Sequence, residues 1–286
     1  MSLDPSAAGY KTEPYEFKYD WKTVVLYALG IGARKDELDY LYESRGPKVF
    51  PTFAVVPALA AVADMLGKTR CDLAMVVHGS QGVRLHRPIP SEGTMQTTGE
   101  VTGLYDMKKM AQVTLTTRTE IDGKPVFDTE WGILVRGAGG FGGEPPPKAD
   151  VPAVPERAAD FTREAATSPE QALLYRLSGD LNPLHADPGF AAMVGFPQGP
   201  ILHGLCTYGF VARAVIAEAC GGDANRLTQF HAQFRKPVWP GETIRTEGWK
   251  LDGGRLALRA FAADRPDAVI TNSWAEISGS AGGGNG

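Results

Sequence analysis

The sequence predicts an α+β protein made of two copies of one unit, an apolar helix followed by an antiparallel meander. Three observations carry that prediction. The chain repeats itself weakly at an offset of 148 to 149 residues, and a Pro-rich segment divides the copies. In both copies a helix-like apolar run gives way to runs that alternate apolar or β-branched residues with polar ones. A run of helix followed by a run of strands implies a helix burying one face on an antiparallel sheet.

The repeat is visible in four blocks in the same order. LYALGIGARK (26–35) lies over LYRLSGDLNP (174–183), and PTFAVVPALAAVADML (51–66) over PILHGLCTYGFVARAV (200–215). RPIPSEGTMQTTG (87–99) lies over KPVWPGETIRTEG (236–248), and DTEWGI (128–133) matches NSWAEI (272–277) after a deletion. Copies are assigned to residues 1–141 and 157–278. Between them GGEPPPKADVPAVPE (142–156) holds five prolines, which neither continue a helix nor sit in a central strand, so it reads as a semi-rigid linker. SGSAGGGNG at the C-terminus makes 279–286 a flexible tail, and it is not the Ser-Lys-Leu peroxisomal address.

Taken in order, copy one offers a helix at 54–66, with Pro57 placed to bend or shorten its first turn. Strands follow at 95–106, 110–121 and 126–137. Copy two offers a helix at 205–220, ended by Gly221-Gly222, and strands at 243–251, 255–263 and 268–277. DGK, LDGG, DRPD and GGEPPP supply the turns.

Composition narrows the classes. With 43% hydrophobic and 22% charged residues among 286, the chain can bury a sizeable core and is neither disordered nor collagenous. The 29 basic and 33 acidic residues are well mixed, which leaves no basic footprint for nucleic acid. No run of about 18 apolar residues marks a membrane span. MSLDPSAAGYKTEPYEF lacks the basic and apolar regions of a secretory signal. Cys71, Cys206 and Cys220 are an odd count with no CxxC, so neither a disulfide framework nor a cysteine zinc site is indicated, and the cytoplasm is the expected compartment.

The duplication supplies a control within one chain: folding residues should recur, whereas chemical residues need appear only once. At the positions of Asp180, Asn182, His185 and Gly204, copy one has Gly32, Arg34, Glu37 and Val55. The polar cluster LSGDLNPLHADP (177–188) is therefore confined to copy two. A carboxylate beside an imidazole is suited to activating water, one accepting the proton while the other orients or relays it. Asn182 could hold a partner or stabilise the turn, and as turn and cap residues Asp180 and Asn182 need no chemical role at all. Gly204 precedes an apolar helix whose first N–H groups lack internal partners, so a ligand carbonyl could approach them as in an oxyanion hole.

Other signals are set aside. GAGGFG (137–142) fits the G-x-G-x-x-G pattern but runs into Glu144 and three prolines rather than a helix, so no dinucleotide site is expected. His78, His86, His203 and His231 show no paired metal spacing, so no metal site is expected either. Cys206, three residues after His203, is read as a packed helix cysteine. There is no G-x-S-x-G elbow.

SGDLNPLHADPGFAAMVGFPQGPILHG (178–204) strongly resembles the hydratase 2 motif of the MaoC-like dehydratases. YALGIGA, YLYE, PTFAVVP and KPVWPGE extend the resemblance to the enoyl-CoA hydratase 2 family across most of residues 15–278. Here the hydratase unit is expected to stand alone. The resemblance implies a double hot dog, two antiparallel sheets joined in one layer, each wrapped around its helix. It implies reversible hydration of a trans-2-enoyl-CoA to a (3R)-3-hydroxyacyl-CoA, with no cofactor, since CoA belongs to the substrate. It also implies a homodimer. The family's catalytic Asp and His fall on Asp180 and His185, the motif's Asn on Asn182, and the thioester-binding glycine on Gly204. Contacts to the CoA ester carry over to His78, Gly79 and Phe234. A family lysine falls on Lys108, although Asp106-Met107-Lys108-Lys109 departs from the family's Asp-Lys-Gly pattern, and Glu43 matches a carboxylate placed near the site. Arg235 and Lys236 are candidates for the CoA phosphates.

Two other functions share these features. A hot-dog thioesterase would use a carboxylate-activated water to hydrolyse the thioester, and an acyl-CoA or acyl-carrier binding subunit would perform no chemistry. The combined Asp-x-Asn-Pro-x-His pattern favours hydration, and copy one illustrates a chemically silent version.

Overall fold

The structure is a computed structural model that describes residues 3–279. In copy one a short strand β1 (Tyr15–Tyr19) leads into α1 (Trp21–Gly30) and the single turn α2 (Leu38–Leu41). The core helix α3 (Val55–Lys68) follows, and then β2 (Val76–Leu85), β3 (Gly93–Asp106), β4 (Met110–Ile121) and β5 (Lys124–Arg136). Copy two repeats the order: β6 (Phe161–Ala166), α4 (Gln171–Tyr175), α5 (Pro188–Met193), the core helix α6 (Gly204–Ala219), β7 (Leu227–Phe234), β8 (Thr243–Lys250), β9 (Arg255–Ala262) and β10 (Ile270–Ile277). Residues 137–160, which contain the Pro-rich segment, carry no helix or strand.

All ten strands form one antiparallel sheet in the order β1-β3-β4-β5-β2-β7-β10-β9-β8-β6. The second half of that order is the first half reversed, so the repeat in the sequence is a pseudo-twofold in space. The halves meet where β2 pairs with β7, from Ser80↔Gln233 to Arg84↔Gln229. This is the double hot dog expected of the family. The three meander strands predicted in each copy form, whereas the sequence reading missed β1, β2, β6 and β7.

Alternation drives the burial. Along β4 every second residue from Ala111 to Thr119 is buried against α3 while the residues between are partly exposed. Threonines on that inner face satisfy one another: Thr117 bonds Thr129 at 2.6 Å, and Trp131 Nε1 donates to Thr129 at 2.7 Å. In α6 the twelve residues from Leu205 to Ile216 are all buried, which fits a helix enclosed on every side.

Pro57 does not break copy one's helix. It lies in the first turn of α3, directly after a 3-10 turn at Pro51–Ala54, and the helix continues through it. The continuous helical stretch Pro51–Lys68 is long and apolar enough to cross a membrane by length and composition, contrary to the sequence reading. It packs on β3 and β4 as a core helix.

GAGGFG forms a loop clamped by Asp106, whose carboxylate accepts the Gly140 and Gly142 N–H groups at 2.9 and 2.8 Å. Residues 280–286, most of the expected tail, lie outside the described residues.

Candidate active site

The site is assembled on the loop between α4 and α6, at the seam between the two halves. Gly179, at φ 120°, turns the chain after a short 3-10 turn and presents Asp180. Pro183–His185 then forms a second 3-10 turn, which Asn182 caps by accepting the Leu184 N–H at 3.0 Å. Pro183 at its first position and Asn182 before it are what such a turn requires. The Asn182 side chain is exposed and its oxygen is engaged in this cap. This cap lets Asn182 help to position His185.

His185 is buried, and its Nδ1 donates to the Ile201 carbonyl at 2.8 Å. A carbonyl can only accept, so the neutral ring carries its lone pair on Nε2. Burial lowers the His185 pKa, against the Ile201 hydrogen bond and the Asp180 charge, which raise it. The imidazole is held as a neutral base.

A third side chain joins them that the sequence reading set aside. His203, 1% exposed at the entrance to α6, stacks on His185 with ring centroids 3.7 Å apart. Its Nε2 donates to the Asp180 carbonyl at 3.2 Å, while Nδ1 is buried without a hydrogen-bond partner among the described residues. Burial, and then the neighbouring His185, push its pKa down to about 2, so it stays neutral. One polar atom from each of Asp180, His185 and His203 lies within 4.8 Å of the others. These three are the group among the described residues that could meet a cation, a juxtaposition that the histidine spacing did not disclose.

Gly204 is the first residue of α6, and no side chain caps the helix there. The Cys206 N–H already bonds the His203 carbonyl at 3.1 Å, which leaves the Gly204 and Leu205 N–H groups of the first turn open to a ligand. A Cβ at Gly204 would meet the Phe234 ring at 3.5 Å, an ordinary contact, so packing alone does not demand glycine. Phe234 ends β7 and its ring stands edge-on to His78, with centroids 5.0 Å apart. His78 lies flat on Trp131 at 5.2 Å and donates Nε2–H to the Ser80 carbonyl. Enclosure by these rings pushes the His78 pKa down to about 4, with Asp180 acting in the opposite direction. Gly79 is the extra residue of a bulge between β2 and β5, where a Cβ would come within 2.9 Å of Leu134. Copy one thus contributes β2 to a site whose proton-transfer groups come from copy two.

Two residues from the family resemblance stand apart. Lys108 is exposed in the β3–β4 turn, at φ 67°, with its N–H held by Asp106. Glu43 is exposed at the start of the 3-10 turn Glu43–Arg45. No contact ties either side chain to the cluster among the described residues. Cys206 is fully buried with Sγ on the Gly30 carbonyl at 3.2 Å, and burial raises its pKa, as expected of a packed thiol.

The same cluster is dismantled in copy one. The Phe210 ring of α6 fills the space beside Gly32, where a Cβ would approach it to 2.3 Å. Glu37, at the position of His185, instead forms an ion pair with the buried Arg213, which also donates to the Ile31 carbonyl at 3.1 Å.

Comparison with known proteins agrees with this geometry. A family model described as MFE-2 hydratase 2 N-terminal domain matches residues 17–137, and one described as MaoC like domain matches residues 150–263. The chain is 42% identical over 273 residues to 3-hydroxyacyl-thioester dehydratase Y of Mycobacterium tuberculosis, covering 92% of this chain and 93% of that protein. It is 39% identical over 287 residues to a probable enoyl-CoA hydratase 2 of Dictyostelium discoideum, covering 97% of each. A MaoC-like dehydratase from Phytophthora capsici superposes with a TM-score of 0.88 at 31% identity, over 98% of this chain and 99% of that one. A Mycobacterium tuberculosis protein with a double hotdog fold superposes at 0.61 with 17% identity, over 94% of each, which speaks to the fold alone. Matched in order by both domain families, and along nearly its whole length by such relatives, the chain belongs to the MaoC-like enoyl-CoA hydratase 2 family.

Proposed function

We propose that this protein is a hydro-lyase that adds water reversibly to a trans-2-enoyl-CoA, giving a (3R)-3-hydroxyacyl-CoA. The observation that carries this reading is the convergence of the Asp180 carboxylate and the neutral His185 beside the open first turn of α6. The thioester enters past Phe234, His78 and Gly79, and its carbonyl oxygen accepts the Gly204 N–H. One water is held between Asp180 and the free Nε2 of His185. Its oxygen bonds to C3 as a proton passes to the Asp180–His185 pair. The C2=C3 electrons move onto the thioester, where the Gly204 N–H stabilises the developing negative charge. The same pair returns a proton to C2, and no step is routed through a metal or redox cofactor. Lys108 and Glu43 remain proposals from family likeness, outside the cluster.

The deciding experiment is the loss of enoyl absorbance with trans-2-enoyl-CoA, together with chiral analysis of the product and assay of free thiol. Formation of the (3R)-alcohol without thiol release is expected. Thiol release would make the protein a thioesterase, and binding without turnover would make it a carrier subunit. We further propose a homodimer. Leu173, Leu177, Leu181 and Met193 are at least half exposed within one short stretch beside the site, and a second copy would cover them. Sedimentation at micromolar concentration tests this, and a monomer would refute it.

A further inference from the structure

The sheet is built twice on one backbone, so the two copies show where a side chain departs from what the fold alone requires. Gln81 faces Trp131 across β2 and β5, and Phe230 faces Ala275 across β7 and β10. His78 and Ile133 correspond in the same way to Leu227 and Ile277. Even the bulge recurs, at Gly79 in copy one and at Thr228 in copy two. Copy two fills these places with Leu227, Phe230 and Ala275, all fully buried in the core. Copy one has His78, Gln81 and Trp131 there instead. Apolar side chains therefore satisfy this backbone, and three that carry polar atoms replace them beside the active site. Gln81 is fully buried, and its Nε2 donates to the Gly82 carbonyl at 2.9 Å, but its Oε1 is buried without a hydrogen-bond partner among the described residues. An orphaned buried acceptor weakens a fold, so packing does not explain its presence. Its side chain lies close enough to His78 to favour the charged ring.

Trp131 carries the argument furthest. Its ring lies 5.2 Å from that of His78 and 9° from parallel, the arrangement of an offset aromatic stack. Its Nε1 donates to Thr129 Oγ1 at 2.7 Å, and Thr129 is bonded in turn to Thr117 at 2.6 Å. That hydroxyl recurs in copy two as Ser273, which donates to the His231 carbonyl at 2.7 Å, whereas the indole does not recur. The indole is thus anchored on β4 and β5, and it holds one face of His78. The Phe234 ring stands edge-on to His78 at 5.0 Å and packs beside Gly204, so one aromatic series runs from copy one's sheet to the first turn of α6. We propose that Trp131 is a positioning residue for substrate binding: through the stack it fixes the His78 ring, and with it Phe234, where the thioester passes towards the Gly204 N–H. Copy one thereby sets how tightly the site in copy two holds its substrate, by having the ring in place before the ligand arrives. This rests on the enoyl-CoA reading above, in which the thioester enters past His78, and assigns that entry its support.

The test is a double-mutant cycle on Trp131 and His78. Trp131→Leu should raise KM for a trans-2-enoyl-CoA about three- to tenfold, the worth of one aromatic stack, with kcat little changed. Trp131→Phe keeps a stacking ring and should restore most of the loss. In a His78→Leu background, which carries copy two's residue, Trp131→Leu should no longer move KM. An unchanged KM in Trp131→Leu would overturn the proposal, and an equal rise in both backgrounds would show that Trp131 only packs the core. If Trp131→Leu does not fold, Thr129→Val, which frees the indole N–H, replaces it in the cycle with the same outcomes. If the wild-type protein hydrates no enoyl-CoA, the hydratase reading fails on its own. The cycle is then read by calorimetry with a saturated acyl-dethia-CoA, a ketone with neither a C2=C3 bond nor a thioester to cleave. A loss of affinity that depends on His78 would still support the role of Trp131, and no binding, no loss, or a loss independent of His78 would refute it.

Discussion

His185 shows how a neutral base is made from ordinary parts. A capped turn fixes its backbone, a carbonyl fixes its tautomer, and burial keeps it uncharged. Asp180→Asn and His185→Gln should each lower kcat by about 10² to 10⁴ while leaving the circular dichroism spectrum unchanged. Near-normal kcat in either variant would reassign the pair. The depressed pKa also sets the acid limb of activity. The reactive neutral form persists as pH falls below 6.5, the ordinary histidine value, so a kcat/KM profile should stay level there and decline only further into acid. Stability follows the same sign at His78. Its folded pKa of about 4 lies below 6.5, so the unfolded chain binds a proton between those values that the folded chain does not. Melting temperature should fall as pH drops from 6.5 towards 4, and His78→Phe should flatten that slope. His203 was within reach of the sequence as well. The repeat places Ala54 of copy one opposite it, the same contrast that singles out Asp180, whereas its spacing from the other histidines carries no signal.

At the scale of elements, what the sequence disclosed follows from burial pattern. The six meander strands alternate cleanly because one face meets a core helix. The edge strands β1 and β6 are five and six residues long, and β6 has no fully buried residue, so little alternation could show. The seam strand β2 is bulged at Gly79 and carries His78 toward the site rather than an apolar residue toward the core, so chemistry overrides its pattern. Copy one's lost chemistry is equally physical. Phe210 occupies the place beside Gly32, and Arg213 binds Glu37, so a ligand has no room where the second site would be. Titration with a tight-binding substrate analogue should give one equivalent per chain, and two equal sites would contradict this. Because Glu37 is partly exposed, Arg213→Met should destabilise by about 2–3 kcal/mol, below the range for a fully buried pair. Arg213→Met with Glu37→Gln should recover part of that in urea unfolding.

For the whole molecule, the question is why a silent half is kept beside an active one. Completing the sheet is one reason, since β2 supplies His78 and Gly79 to the other half's site. Holding the acyl tail is a second reason that we propose. The apolar residues of α3 and its entry are mostly closed off. Phe53, Val55 and Met65 are at most 1% exposed, and Val56 and Val62 are buried. Leu59 and Leu66 are only partly buried, and Leu59 lies 3.1 Å from where a Cβ on Gly179 would sit, next to Asp180. An acyl chain leaving C3 would run along that side of α3, and each methylene it buries is worth about 0.8 kcal/mol. The kcat/KM of enoyl-CoA thioesters should therefore rise from C4 into the medium chain lengths. Leu59→Trp should narrow the route and lower kcat/KM for C10 much more than for C4. A preference for C4 that falls steadily with length in the wild-type protein, or a Leu59→Trp variant that slows all lengths alike, would show that copy one is filled and serves only to complete the sheet.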